Sequence, residues 1–201
     1  MVYCTCLENR STARYREFES HLLRTEYRIV TKILFIQGIH NFALTERFIK
    51  DVSSGTGLEV ITFKKDYGLW DIKKHNELLV DIETYIKEHD ERFIILAHSF
   101  GGILAYCLSD EAYARVDKIV TFAAPHQVPF SWFKRLLAQL PHRTHVPVPE
   151  QISCGFLFDP TVPYFFAKLG TALQHKNFVG THTFVPNRKA FFKKLILGGV
   201  Q

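Results

Sequence analysis

No stretch of this chain reaches the roughly 18 consecutive apolar residues needed to span a bilayer. The N-terminal residues, Met1 to Thr31, alternate charged and polar side chains and lack the apolar core of a secretory signal. An intracellular, cytoplasmic location is therefore the expectation. Cysteine is scarce: the four residues Cys4, Cys6, Cys107 and Cys154 fit no metal-binding spacing. Cys107 and Cys154 stand in apolar contexts and read as buried thiols. Cys4 and Cys6 lie close enough together for a lipidation or redox site. Aromatic residues do not interleave with base-reading motifs, which argues against a nucleic-acid partner.

What remains is a chain of 201 residues, 47% hydrophobic and 22% charged, long enough to bury one full core. The net charge is +5. Part of the excess lies at Lys134, Arg135 and Arg143, and part in the last helix at Arg188, Lys189, Lys193 and Lys194. A solvated basic face and peripheral contact with an anionic membrane are the two readings of that charge.

Residues 1–28 read as an N-terminal extension, and residues 29–201 as one domain in which strand and helix patterns alternate. Apolar runs predict strands at Ile29 to Ile36, Leu58 to Phe63, Phe93 to Ala97, Val116 to Ala123 and Ser153 to Phe158. A last strand or extended loop falls within Asn177 to Val185. Helical periodicity covers Asn41 to Val52, Asp71 to Glu88, Ser99 to about Leu108, and Asn187 to Leu197. On the second of these helices, Ile72, His75, Leu78, Leu79, Ile82 and Ile86 share one face. Strands separated by helices predict an α/β fold: a doubly wound, mostly parallel sheet with helices on both faces. In such a sheet the ligand sits at the C-terminal ends of the strands.

The polar residues suited to chemistry fall at those ends. Phe93-Ile-Ile-Leu-Ala97 runs into His98-Ser99-Phe100-Gly101-Gly102. A strand that turns abruptly into a helix needs small residues two positions before and after the turning residue, and Ala97 and Gly101 supply them. The pattern is that of a nucleophile elbow. A serine hydroxyl needs a general base, and the base needs an orienting carboxylate. His182, in Gly180-Thr-His182, precedes the closing helix. Asp159 ends an apolar strand 23 residues before it. Each residue also has a plainer reading: Ser99 as a helix cap, Asp159 as a turn former before Pro160, His182 as a surface residue. His126 is the rival base, and His98 reads as structural.

The order Ser, Asp, His, together with these motifs, resembles a compact α/β-hydrolase of the small lipase and esterase type. The resemblance spans roughly residues 29–197. It rests on Gln37-Gly-Ile-His40, the Ala97-His-Ser-Phe-Gly-Gly elbow, Asp159-Pro-Thr-Val-Pro and Gly180-Thr-His182. Thr121-Phe-Ala-Ala-Pro-His126 adds a turn similar to one in lipases. Ala97 stands where the family usually has Gly, and Gln37 where it commonly has His. The resemblance implies a Ser99, Asp159 and His182 triad, with an oxyanion hole from the backbone N–H groups of Phe100 and Ile39, His40 being the second choice. It implies no metal or organic cofactor.

Residues 124–152 are longer than a simple crossover. The aromatic, amphipathic stretch Phe130 to Leu140 reads either as a short cap over the site or as an ordinary packed helix. His40, Phe130, Trp132, Phe133 and Phe165 are the candidate substrate contacts, and Tyr164 and Phe166, beside Phe165, are further candidates for the pocket wall. The 18 phenylalanines favour an apolar substrate. The expected activity is cleavage of a lipid or small-molecule carboxylic ester through an acyl-enzyme. A thioesterase, amidase or acyltransferase on the same triad stays open, as does a binding protein that keeps the scaffold without turnover.

Overall fold

The computed structural model describes residues 30–39, 42–63, 65–141, 150–168, 174–182 and 188–197. The N-terminal extension, Cys4, Cys6, His40, the loop 142–149 and residues 183–187 lie outside the described residues.

Six strands form one sheet: β1 (Val30–Ile36), β2 (Glu59–Phe63), β3 (Arg92–His98), β4 (Val116–Phe122), β5 (Glu150–Phe156) and β6 (Gln174–Phe178). Their order is β2-β1-β3-β4-β5-β6, and every neighbouring pair is parallel. The helices are α1 (Phe42–Thr56), α2 (Ile72–Glu88), α3 (Phe100–Ala105), α4 (Asp110–Tyr113), α5 (Ser131–Leu137) and α6 (Arg188–Leu197).

Alternation along the strands sorts their side chains into two cores. Leu34, Ile36, Phe93, Ile95 and Ile119 join the core under α2, α3 and α5. Ile33, Phe35, Ile94, Leu96, Val120 and Phe156 join the opposite core, with Val52 of α1 and Phe192, Leu195 and Ile196 of α6. This is the doubly wound arrangement expected of the sequence. On α2 the predicted stripe holds, with His75, Leu78, Leu79, Ile82 and Ile86 buried. Asp71 caps this helix by accepting a hydrogen bond from the Lys74 N–H. At the end of α1, Gly57 takes φ +73°, and its N–H returns to the Ser53 carbonyl at 2.8 Å, which stops the helix.

Several boundaries differ from expectation, and helix α1 runs to Thr56 rather than Val52. Helix α3 ends at Ala105 rather than near Leu108, and a separate turn of helix, α4, follows. Strand β5 begins at Glu150 and ends at Phe156. Leu157 and Phe158 have left the core, and the Asp159 N–H closes a turn onto the Phe156 carbonyl at 3.2 Å. The last strand starts at Gln174, three residues before the apolar signal, because an edge strand needs only partial burial.

Candidate active site

The backbone at Ser99 sits at φ 51° and ψ −129°. Few side-chain-bearing residues adopt positive φ, and the surrounding contacts hold this one there. The Ser99 N–H donates to the Phe122 carbonyl at 3.0 Å, and its carbonyl accepts from the Gly102 N–H at 2.9 Å. Gly101 is required by contact: a Cβ there would stand 2.5 Å from the Ile36 carbonyl oxygen and 2.6 Å from that of Gln37. A Cβ on Gly102 would meet Ala124 at 2.4 Å. Helix α3 therefore lies directly on the ends of β1 and β4, and the serine is presented at the sheet's C-terminal edge.

The Ser99 hydroxyl lies 3.0 Å from His182 Nε2. On the other side of the ring, Nδ1–H donates to Asp159 Oδ2 at 2.8 Å. The second carboxylate oxygen, Oδ1, accepts the N–H groups of Thr161 and Val162, both at 2.8 Å. The Asp159 carboxylate is thus buried with both oxygens hydrogen-bonded, while the His182 ring keeps 14% exposure. Ser99, Asp159 and His182, chosen from sequence, meet in one hydrogen-bonded line.

His98 and His126 are placed otherwise. Burial pushes the His98 imidazole down to about 3, with the nearby His182 adding to the effect. It is neutral at pH 7, and its Nε2–H donates to the His182 carbonyl at 2.8 Å. His98 thus anchors the backbone of the residue that faces the serine. Burial, joined by His175, also pushes His126 down to about 3, and its Nε2 is engaged with the Thr121 hydroxyl at 2.9 Å.

Next to the serine lies a cavity of about 280 Å³. Ile39, Ser99 and Phe100 share its wall with Phe130, Trp132 and Phe133. Gly38 is pressed against the serine, since a Cβ there would stand 2.7 Å from Ser99 Cβ and 3.3 Å from its hydroxyl oxygen. That close approach brings Ile39 beside Ser99. One aromatic expectation is corrected. Phe165 is exposed and stands off the cavity wall, while Phe166 lines it. The turn closed by Phe166 N–H onto the Pro163 carbonyl is tied to the loop after β4 through Gln127 N–H and the Phe166 carbonyl, and the second ring lines the cavity. Helix α5 has a double role: Phe133 and Leu136 are buried, while Trp132 faces the cavity and solvent.

Tyr67 and His75 support the site without any local motif to mark them. The buried Tyr67 hydroxyl donates to the Gln37 carbonyl at 2.6 Å, just ahead of Gly38 and Ile39. His75 packs edge-on against Tyr67, with ring centroids 4.9 Å apart, and tilted against Phe100 at 4.8 Å. Burial lowers the His75 pKa, and its Nε2–H donates to the Gly68 carbonyl at 3.0 Å. Replacing Tyr67 with Phe leaves that buried carbonyl without its donor. We expect a loss of about 1–3 kcal/mol in stability by urea unfolding, and a fall in kcat larger than any change in KM.

Comparisons with known proteins agree with this architecture. Residues 71–150 match the family described as PGAP1-like alpha/beta domain. No curated protein matches the chain in sequence. Among solved structures, the chain is similar to an extracellular alpha/beta-hydrolase from a Paenibacillus species, with a TM-score of 0.58 and 17% identity over 85% of this chain and 100% of that one. It is similar to Est1E from Butyrivibrio proteoclasticus at a TM-score of 0.58 and 15% identity, covering 87% and 90% of the two chains. A monoacylglycerol lipase from Paleococcus ferrophilus follows at 0.56 and 12%, covering 83% and 92%. The chain has the α/β-hydrolase fold.

Proposed function

We propose that this protein is a serine hydrolase that cleaves carboxylic esters. The observation that carries the reading is the single line of hydrogen bonds from Ser99 through His182 to Asp159. Neighbours described as an esterase and a monoacylglycerol lipase support the same class. Ser99 Oγ attacks the ester carbonyl carbon as its proton passes to His182 Nε2. The tetrahedral oxyanion is held by the N–H groups of Ile39 and Phe100. The positive end of α3 faces the same oxygen. Collapse breaks the C–O bond, and His182 returns the proton to the departing alcohol. Water then repeats the sequence on the acyl-enzyme and releases the acid. Asp159 keeps the proton of the resting imidazole on Nδ1 and stabilises the imidazolium. The apolar wall of Phe130, Trp132, Phe133 and Phe166 suits an acyl chain.

The test is fluorophosphonate labelling, together with hydrolysis of p-nitrophenyl esters of increasing acyl length. Labelling at Ser99 with turnover is the expected result. Folded protein that neither labels nor turns over would remove the reading.

A further inference from the structure

Apart from Val80 on α2 and Leu197 at the end of α6, the exposed large apolar side chains among the described residues gather at one end of the sheet. Trp70 follows β2, Phe130 and Trp132 follow β4, Phe158 and Phe165 follow β5, and Val179 follows β6. In a parallel sheet these are all the same end, the end where the cavity opens. Trp70 is 61% exposed and Phe158 66%. The rings also touch one another: Trp70 and Trp132 lie 5.6 Å apart, and Phe130 stacks on Trp132 at 6.0 Å. An exposed aromatic surface of this kind on a water-facing protein costs free energy unless something covers it.

On the β4–β5 side of the rim the exposed charges are basic. Among the described residues of the loops after β4 and β5, the exposed charged side chains are Lys134, Arg135 and Lys168. The carboxylate in those loops, Asp159, is buried at the triad. On the loop after β2, Asp66 is exposed and Asp71 is paired with Lys74 at 3.3 Å, so the basic character belongs to the side that carries Trp132. Exposed aromatic rings, with Lys134 and Arg135 beside Trp132, match the interfacial zone of an anionic bilayer, with rings among the headgroups and cations at the phosphates. The rim is also continuous with the cavity wall through Phe130 and Trp132.

We infer that the C-terminal edge of the sheet is a docking surface for an anionic lipid bilayer, seated so that the mouth of the Ser99 cavity opens onto the membrane. The inference goes beyond the hydrolytic reading, because docking requires no turnover.

The chain's 2 tryptophans are Trp70 and Trp132, so intrinsic fluorescence reports on the rim itself. The full chain carrying Ser99→Ala is mixed with phosphatidylcholine vesicles, with and without phosphatidylglycerol. Expected are a blue shift and quenching by lipids brominated in the acyl chain, strongest with phosphatidylglycerol and weakened by salt. In co-sedimentation, Trp70→Ser combined with Lys134→Glu and Arg135→Glu should reduce partitioning at least ten-fold, with an unchanged circular dichroism spectrum. Three results would overturn the inference. One is no shift with either vesicle. Another is partitioning that the triple variant leaves intact. The third is a lipid-free dimer in sedimentation velocity that already buries the tryptophans, which would assign the rim to a second copy of the chain.

Discussion

Replacing Ser99 with Ala lowers kcat for a p-nitrophenyl ester by about 10⁴-fold or more and abolishes fluorophosphonate labelling. His182→Ala gives a loss of similar size. The double variant is no worse than either single one. The reason is that the two side chains act as one unit through the 3.0 Å hydrogen bond: a hydroxyl without its base and a base without its hydroxyl are equally idle. Independent roles would give additive losses, and additivity would break the assignment. Ser99→Ala should cost little stability, since the serine borders the cavity, whereas His182→Ala leaves the buried Asp159 Oδ2 without its partner and should lower the unfolding midpoint. Any residual rate above that of solution reflects the oxyanion donors and the cavity, which both variants retain.

The Asp159→Asn variant tests the far end of the same line, and its outcome follows from which groups face each oxygen. Oδ1 accepts two backbone N–H groups, from Thr161 and Val162. An asparagine must keep its carbonyl oxygen there, because its NH₂ cannot accept. The NH₂ then faces His182 Nδ1, where the carboxylate now receives a proton at 2.8 Å. Nδ1 becomes the acceptor and the ring proton moves to Nε2, the atom that must take the proton of Ser99. The expected result is a fall in kcat of about 10⁴-fold with KM nearly unchanged. The unfolding midpoint should stay close to that of the parent, because the turn at 159–162 keeps both hydrogen bonds. A variant of near-normal kcat would mean that another group orients the histidine. A variant that unfolds would mean the buried charge itself holds the turn.

Much of this site could be read before any coordinates, for a physical reason. Strands β1, β3 and β4 are covered on both faces, so their central residues, such as 33–36 and 93–97, are apolar, and polar residues gather towards the strand ends. Ser99, Asp159 and His182 all stand at or soon after strand ends. Strand β6 was only partly legible because it lies at the sheet edge and tolerates Gln174 and Lys176 among its residues. Phe165 and Phe166 were both candidates, and which of the two faces the cavity was illegible, since adjacent rings of one turn differ only in which side the fold turns inward. Tyr67 was hidden for a similar reason. Its partner is a carbonyl 30 residues earlier in the chain, and no local pattern records that contact. His75 left a faint trace as a histidine on an apolar helix face. The anchoring of His182 by His98 joins residues 84 positions apart.

The parallel sheet also sets when the site comes into being. Strands that run the same way cannot be joined by tight hairpins, so each pairing waits for a crossover segment to close. Contacts between distant parts of the chain carry the entropy of the intervening loop and form slowly. Ser99 and His182 are separated by 83 positions, and β4, β5 and β6 all lie between them. During refolding, helix α2 can form from its own neighbours, whereas the serine meets its proton acceptor only once the far edge of the sheet has docked. The Ser99–His182 contact therefore waits on long-range strand pairing and not on local structure.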